Sequence, residues 1–295
     1  MKKILVPTDF SENAANALIY AIQLVKLVNG KLIIFHNADF PLNYTGTNIF
    51  PGGDLGMGID PAYPAGVLNN PELEQIQQER INQLATRVRQ DTGNTIPVKT
   101  FYKYGSFTDN LSEVIREEQA DLVVMGTHGA STFLDRLVGT NTASVIKNSP
   151  VPVLAIPAEA RFKPIKHIAY AVDLESDEDI FLDQLIAFAK PFGAIITLVH
   201  IKTENQPDKI TDRMLLKELR TRYPGQYLQM TERQGKTVAQ GLEEFIIESG
   251  SDLLAIGIHK HGFFHSVFHS TVPEQLVFHN TVPVVALPEI QMKAS

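Results

Sequence analysis

Residues 120–129 read "ADLVVMGTHG", and residues 251–260 read "SDLLAIGIHK". Each is an acidic residue, a short run with no polar member, a glycine, and a histidine two positions on. An apolar run of this length, bounded by turn residues, marks a strand covered on both faces of a parallel sheet. That the pattern occurs twice decides the architecture, because the flanking segments repeat as well. "KKILVPTDFSENAANALIYAI" near the start pairs with "KHIAYAVDLESDEDIFLDQLIAF" from Lys166. Both are a basic residue, a short strand, an aspartate (Asp9, Asp173) and an amphipathic helix. "LIIFH", ending at His36, pairs with "ITLVH", ending at His200, and "SPVPVLAIP" pairs with "NTVPVVALP".

The spacing between copies falls from 164 residues (His36 to His200) to 131 (Gly126 to Gly257), so the second copy is shorter in the middle. The surplus in the first copy is residues 39–72, rich in Gly and Pro and without helical or strand period, as in functional loops or surface insertions. Within each copy, strands alternate with helical patterns. Ala15, Leu18, Ile22 and Val25 form the expected buried stripe of the first helix, with Ser11 as its N-cap. Residues 73–91 are polar and helical in composition. Leu111, Val114 and Ile115 are the inward face of a further helix. Alternating strands and helices joined by right-handed crossovers predict an α/β protein with two tandem doubly wound, Rossmann-like parallel sheets. The expected units are 1–157 and 166–290, with 158–165 as a linker.

Composition narrows the function. A net charge of −7 argues against a nucleic-acid footprint, and the absence of cysteine excludes disulfides and thiolate chemistry. Asp9 interrupts the first apolar run too early for a signal peptide, and no run approaches the ~18 residues of a membrane span. A soluble cytoplasmic protein, without membrane or nucleic-acid partners, is the expectation.

In a doubly wound sheet, ligands bind beyond the carboxyl ends of the strands where the order reverses. Asp9 follows the first strand and Gly126 the fourth. Glycines there would permit positive φ and close approach of a ligand to the main chain. Gly139 and Thr140 lead into the helix "NTASVIKN", whose free N–H groups and dipole suit a phosphate, with the Thr140 and Thr142 hydroxyls adding hydrogen bonds.

Gly126-x2-Gly129-x9-Gly139-Thr140 resembles the G-x2-G-x9-G-[S/T] nucleotide motif of the universal stress proteins. "ILVPTDFSENA", "DLVVMGTHG" and "SPVPVLAIP" are similar to that family too, so the resemblance covers nearly the whole chain as two domains. It implies strand order 3-2-1-4-5 in each five-stranded sheet and an adenine nucleotide (ATP, with ADP and AMP as alternatives, and magnesium as a candidate companion) between the first and fourth strands. By the motif, Pro7, Thr8 and Asp9 would line the adenosine pocket. Met125, Gly126, His128 and Gly129 would flank ribose and phosphates. Gly139, Thr140, Asn141 and Thr142 would hold the phosphate chain. Asn37 occupies a position that is often apolar in the family and touches adenine. The resemblance also implies pairing of the two domains through their last strands, with a further homodimer as an option.

In the second copy Gly129 becomes Lys260, Gly139 becomes Ser270 and Thr142 becomes Pro273, which predicts a structural rather than ATP-binding half. "GKT" at 235–237 is not a phosphate loop, because Met230 stands where that motif requires glycine. His259, His261, His265 and His269 offer imidazoles without an accompanying carboxylate cluster, and read as a remodelled loop rather than a metal site. His128 and Asp135 are the acid–base candidates near the motif. No paired carboxylates and no lysine placed for a γ-phosphate accompany them, so a binding module is expected rather than an enzyme. The alternatives are a slow ATPase and a nucleotide-independent interaction scaffold.

Overall fold

A computed structural model of the chain describes residues 1–38, 71–127, 140–172, 179–203, 217, 219–258 and 282–289. The first half runs β1 (Lys3–Pro7), α1 (Glu12–Val28), β2 (Lys31–Ala38), α2 (Pro71–Asp91), β3 (Val98–Tyr104), α3 (Phe107–Glu118), β4 (Leu122–Gly126), α4 (Thr140–Asn148) and β5 (Val153–Ile156). The second half runs β6 (His167–Val172), α5 (Asp179–Ala189), β7 (Ile195–Lys202), β8 (Leu228–Gln234), α6 (Val238–Ser249), β9 (Leu253–Ile258) and β10 (Val284–Pro288). The two sheets expected from the repeat are both present in 3-2-1-4-5 order. They join edge to edge into one ten-stranded sheet, β3-β2-β1-β4-β5-β10-β9-β6-β7-β8.

All neighbours are parallel except at the seam, where β5 and β10 run antiparallel with Val285 opposite Leu154. Strand alternation divides the apolar residues between two layers. Ile4, Val6, Leu32, Ile34, Leu122 and Val124 face α1 and α2, whereas Leu5, Ile33, Phe35, Val123 and Met125 face α3 and α4. Both layers continue across the seam into the second half.

Helix boundaries follow local chemistry. Ser11 caps α1 by accepting from the Ala14 N–H at 3.2 Å, and Asn29 ends it in the left-handed conformation, φ 49°. The buried stripe of α1 differs from the expected one. Ala15 is exposed, and Ala14, Ala17, Ala21, Leu24 and Val28 lie inward beside Leu18 and Val25. A helix lying flat on a sheet buries a broad band, and the small alanines let α1 approach β1 and β4 closely. In α3, Leu111, Val114 and Ile115 are buried, as their spacing requires.

The aspartate that opens each repeated β4-type segment is structural. At the amino edge of the sheet, an Asp121 carboxylate oxygen accepts the Lys2 and Lys3 N–H groups at 2.6 and 2.8 Å. Asp252 does the same for Lys166 and His167 at 2.9 and 3.1 Å. Residues 158–165 are laid down on α1. The Asn16 side-chain amide donates to the carbonyls of Pro157 and Ala160, the Tyr20 hydroxyl donates to that of Arg161 at 2.7 Å, and Phe162 meets Tyr20 edge-on.

Candidate functional site

β1 and β4 are adjacent and parallel, with Ile4 opposite Leu122 and Leu5 opposite Val123. They connect in opposite directions across the sheet, β1 to β2 and β4 to β5, so their carboxyl ends form the switch point. Pro7 ends β1, and the Thr8 N–H closes the last rung by donating to the Phe35 carbonyl at 2.8 Å. The chain then turns sharply into α1. Thr8 Oγ1 accepts from the Phe10 N–H at 3.0 Å, and Asp9 Oδ1 accepts from the Ser11 N–H at 2.9 Å. These are local side-chain turns of the kind Thr and Asp favour. They leave the Asp9 residue exposed at the strand end, and Phe10 follows it at φ 65°. For a bulky residue that conformation costs about 1–2 kcal/mol, a strain typical of functional turns.

On the β4 side, Gly126 packs against α1. Its φ is not positive, and the space beside it is taken by α1: a Cβ there would lie 2.6 Å from the Asn13 carbonyl carbon, with the Asn13 oxygen closer still. Glycine at 126 therefore admits the first turn of α1 against the strand. Thr127, almost fully buried, donates its N–H to the Ile156 carbonyl at 3.0 Å and so binds the end of β4 to the end of β5. The buried Thr142 hydroxyl donates to the Gly126 carbonyl at 3.2 Å. That bond ties the first turn of α4 to the end of β4, which sets the amino end of the helix at the switch point. The leading N–H groups of α4 have no partner within the helix.

The structure brings Pro7, Thr8, Asp9, Met125, Gly126 and the start of α4 (Thr140, Asn141, Thr142) to one end of the sheet. Asn141 is exposed, whereas the Met125 side chain is buried in the layer shared with Phe35 and Val145. Asn37, at the end of β2, is fixed by the β3–α3 turn: its Nδ2 donates to the Gly105 carbonyl at 2.7 Å, and its Oδ1 accepts from Asn110 at 2.8 Å. His128, Gly129 and Gly139 lie outside the described residues, as do Asp135, residues 39–70 and the histidines from 259 to 269.

Sequence reasoning missed Thr127, Asn13, Asn110 and His36. His36 alone had a visible signal, the recurrence of His200 at the same place in the repeat. His36 Nδ1 lies 2.8 Å from the Thr8 carbonyl and His200 Nδ1 lies 3.2 Å from that of Val172. A carbonyl only accepts, so Nδ1 carries the proton in both.

The arrangement fits an anionic ligand that also presents hydroxyl groups. The amino end of α4 favours negative charge, and the Asp9 carboxylate can accept from hydroxyls. A magnesium ion finds less: among the described residues no group of three His, Cys, Asp or Glu is placed to hold a metal. Among them, too, no helix is long and apolar enough to cross a membrane. In the second half, Gly257 takes the place of Gly126, and a Cβ there would meet the buried Phe181 ring at 2.9 Å. "GKT" forms the turn between β8 and α6, with Thr237 as N-cap accepting from the Gln240 N–H at 3.2 Å. Gly235 donates its N–H to the Lys202 carbonyl just as Gly105 donates to Ala38, both at 3.0 Å.

The model of the universal stress protein family matches residues 1–53 and 58–157. A universal stress protein of Methanocaldococcus jannaschii is 29% identical over 163 residues, covering 52% of this chain and 94% of that protein. A universal stress protein of Synechocystis sp. is 21% identical over 292 residues, covering 97% of this chain and 99% of its own length. Among solved structures, a universal stress protein from Archaeoglobus fulgidus shares the fold with a TM-score of 0.68 at 16% identity, covering 97% of this chain and 98% of that one.

Proposed function

The chain belongs to the universal stress protein family, and from that premise we propose that its first half binds an adenine nucleotide at the β1/β4 switch point. ATP is the preferred occupant, with ADP and AMP as the shorter alternatives and magnesium as a companion of the phosphates. The observation that carries this reading is the Thr142–Gly126 bond, which sets the amino end of α4 beside the strand end that faces Asp9. Asp9 is assigned to the ribose hydroxyls. The main chain of α4 from Thr140, together with Gly129 and Gly139 of the motif, is assigned to the phosphates. Thr142 acts by holding α4 in place. The protein on this reading holds the nucleotide as a binding module in a stress response and does not turn it over. The second half is assigned a structural role, completing the sheet across the seam.

Thermal melting with and without ATP, ADP and AMP tests this. A ligand at a hundredfold excess over Kd stabilises by about 2.7 kcal/mol. The wild-type chain should therefore melt several degrees higher in millimolar ATP. The variant Gly129→Lys, which copies the second half, should not respond. Absence of any shift, with no nucleotide detected by mass spectrometry after denaturing the purified protein, would refute the reading.

A further inference from the structure

The turn that carries Asp9 is held from behind by a stack of side chains outside the glycine motif. The Phe10 ring lies against His36, with centroids 4.6 Å apart, and the Arg80 guanidinium lies over the same Phe10 ring at 4.0 Å from its centroid. His36 is stacked in turn on Tyr102, its neighbour across β2 and β3, at 5.9 Å. His36 also donates from Nδ1 to the Thr8 carbonyl. It follows Leu32 and Ile34 at strand period, so it stands on the α1/α2 face of the sheet. The stack thus supports residues 8–11 from the face opposite α4.

The repeat supplies an internal comparison. His200 makes the same ring-to-carbonyl bond in the second half, but its cross-strand neighbour is Glu232 in place of an aromatic ring. Among the described residues no ring or cation stacks on His200. The carbonyl bond is common to both halves. Among the described residues, a cation–ring stack at the end of the first strand is found in the half that carries the full glycine motif, at a turn in which a bulky residue is held at positive φ; the matching turn of the second half, residues 173–178, lies outside the described residues.

We propose that Phe10, His36 and Arg80 are positioning residues for Asp9. His36 fixes the carbonyl of the Thr8–Asp9 peptide. The Arg80–Phe10–His36 stack keeps Phe10 left-handed, and together they aim the Asp9 carboxylate at the hydroxyl-bearing part of the ligand. This rests on the nucleotide reading above.

Calorimetric titration of the full chain with ATP and with 2′,3′-dideoxy-ATP provides the test, because a carboxylate aimed at ribose hydroxyls is read in the ratio of the two affinities. His36→Leu and Phe10→Leu should each weaken ATP binding about tenfold, the worth of one well-made hydrogen bond. Both should also bring the ratio towards one. His36→Asn, whose amide can donate near the former Nδ1 position, should restore much of the ratio. His200→Leu should bind as wild type. Arg80→Ala, at an exposed helix position, carries the test if His36→Leu does not fold, and should lower the ratio in the same direction.

Folded variants that keep the wild-type ratio would overturn the proposal, as would His200→Leu weakening binding as much as His36→Leu. A wild type that binds no ATP refutes the nucleotide reading and this inference with it. A wild type that binds, with variants that keep the ratio, refutes this inference alone.

Discussion

Replacing Gly126 by alanine would drive a methyl group into the backbone of α1. The new Cβ would stand 2.6 Å from the Asn13 carbonyl carbon and closer still to its oxygen, against an ordinary contact distance of 3.4 Å, so strand and helix must separate by at least about 0.8 Å. A rotating side chain cannot supply that movement, because the obstacle is main chain. Nor is α1 free to slide: Ser11 caps its first turn, and Asn16 is bonded to the Pro157 and Ala160 carbonyls. Overpacking of this kind costs about 1–3 kcal/mol, and at ~2–4 °C per kcal/mol the melting temperature should fall by roughly 2–12 °C.

Two comparators isolate the cause. Gly257→Ala meets the Phe181 ring, a side chain with some room to tilt, and should cost less. Gly250→Ala meets nothing within 4 Å but sits at φ 63°, so it should cost only the strain of the left-handed conformation, about 1 kcal/mol. Urea unfolding at constant m-value, together with thermal melts, would rank the three. A Gly126→Ala variant melting within a degree of wild type would refute the view that close helix–strand packing is what requires glycine there.

Glu118 is held below the ordinary carboxylate range by hydrogen bonds from Lys31 and Lys99. A depressed carboxylate stabilises above its unfolded pKa and loses that contribution as the pH falls through the folded value. Glu118→Gln should therefore be less stable than wild type at pH 7, and the gap should close as the pH is lowered from 4.5, followed by urea midpoints. Glu243 behaves oppositely: burial, helped by Glu244, raises it to about 7. Its ionisation penalises the fold increasingly from pH 4.5 through 7, so Glu243→Gln should raise the melting temperature at pH 8 and leave it unchanged at pH 4. Asn16→Ala removes the amide that binds the Pro157 and Ala160 carbonyls and should cost about 1–2 kcal/mol. Trypsin should then cut the Arg161–Phe162 bond faster than in wild type.

Much of this architecture was legible because repeats and strand periodicity depend on burial, which leaves its trace in residue type. "LVVM" and "VLAI" had to be covered on both faces, and Leu111, Val114 and Ile115 had to face inward. The stripe of α1 was misplaced because alanine carries little information: Ala14, Ala15 and Ala17 are alike in composition, and only the approach of α1 to the sheet decides which are buried. At the switch point, the location of Gly126 was legible and its packing against α1 was not. A glycine admitting a ligand and a glycine admitting a neighbouring helix are the same letter. Thr142 was similarly ambiguous, since a hydroxyl at a helix start can serve a ligand or the end of the adjoining strand, and here it donates to Gly126. Arg80 lies far from Phe10 in sequence, and nothing local announces that its guanidinium covers that ring.

The two halves also show which parts of the pattern belong to the scaffold. Asp121 and Asp252 make the same pair of main-chain bonds at the amino edge, and His36 and His200 bond the same carbonyl at the carboxyl edge. Those features recur whether or not the glycine motif does, so they are requirements of the fold. Among the described residues, differences stand at the carboxyl end of the central strands: Asn13 main chain against Gly126 in one half and a Phe181 ring against Gly257 in the other, a stacked Tyr102 in one and Glu232 in the other. Because both apolar layers run unbroken across β5 and β10, the second half stabilises the first through shared core as well as strand pairing. The second half can therefore lose its motif and still be needed, since the strand end that carries Gly126 is anchored through Thr127 to β5, and β5 is held on its other edge by β10.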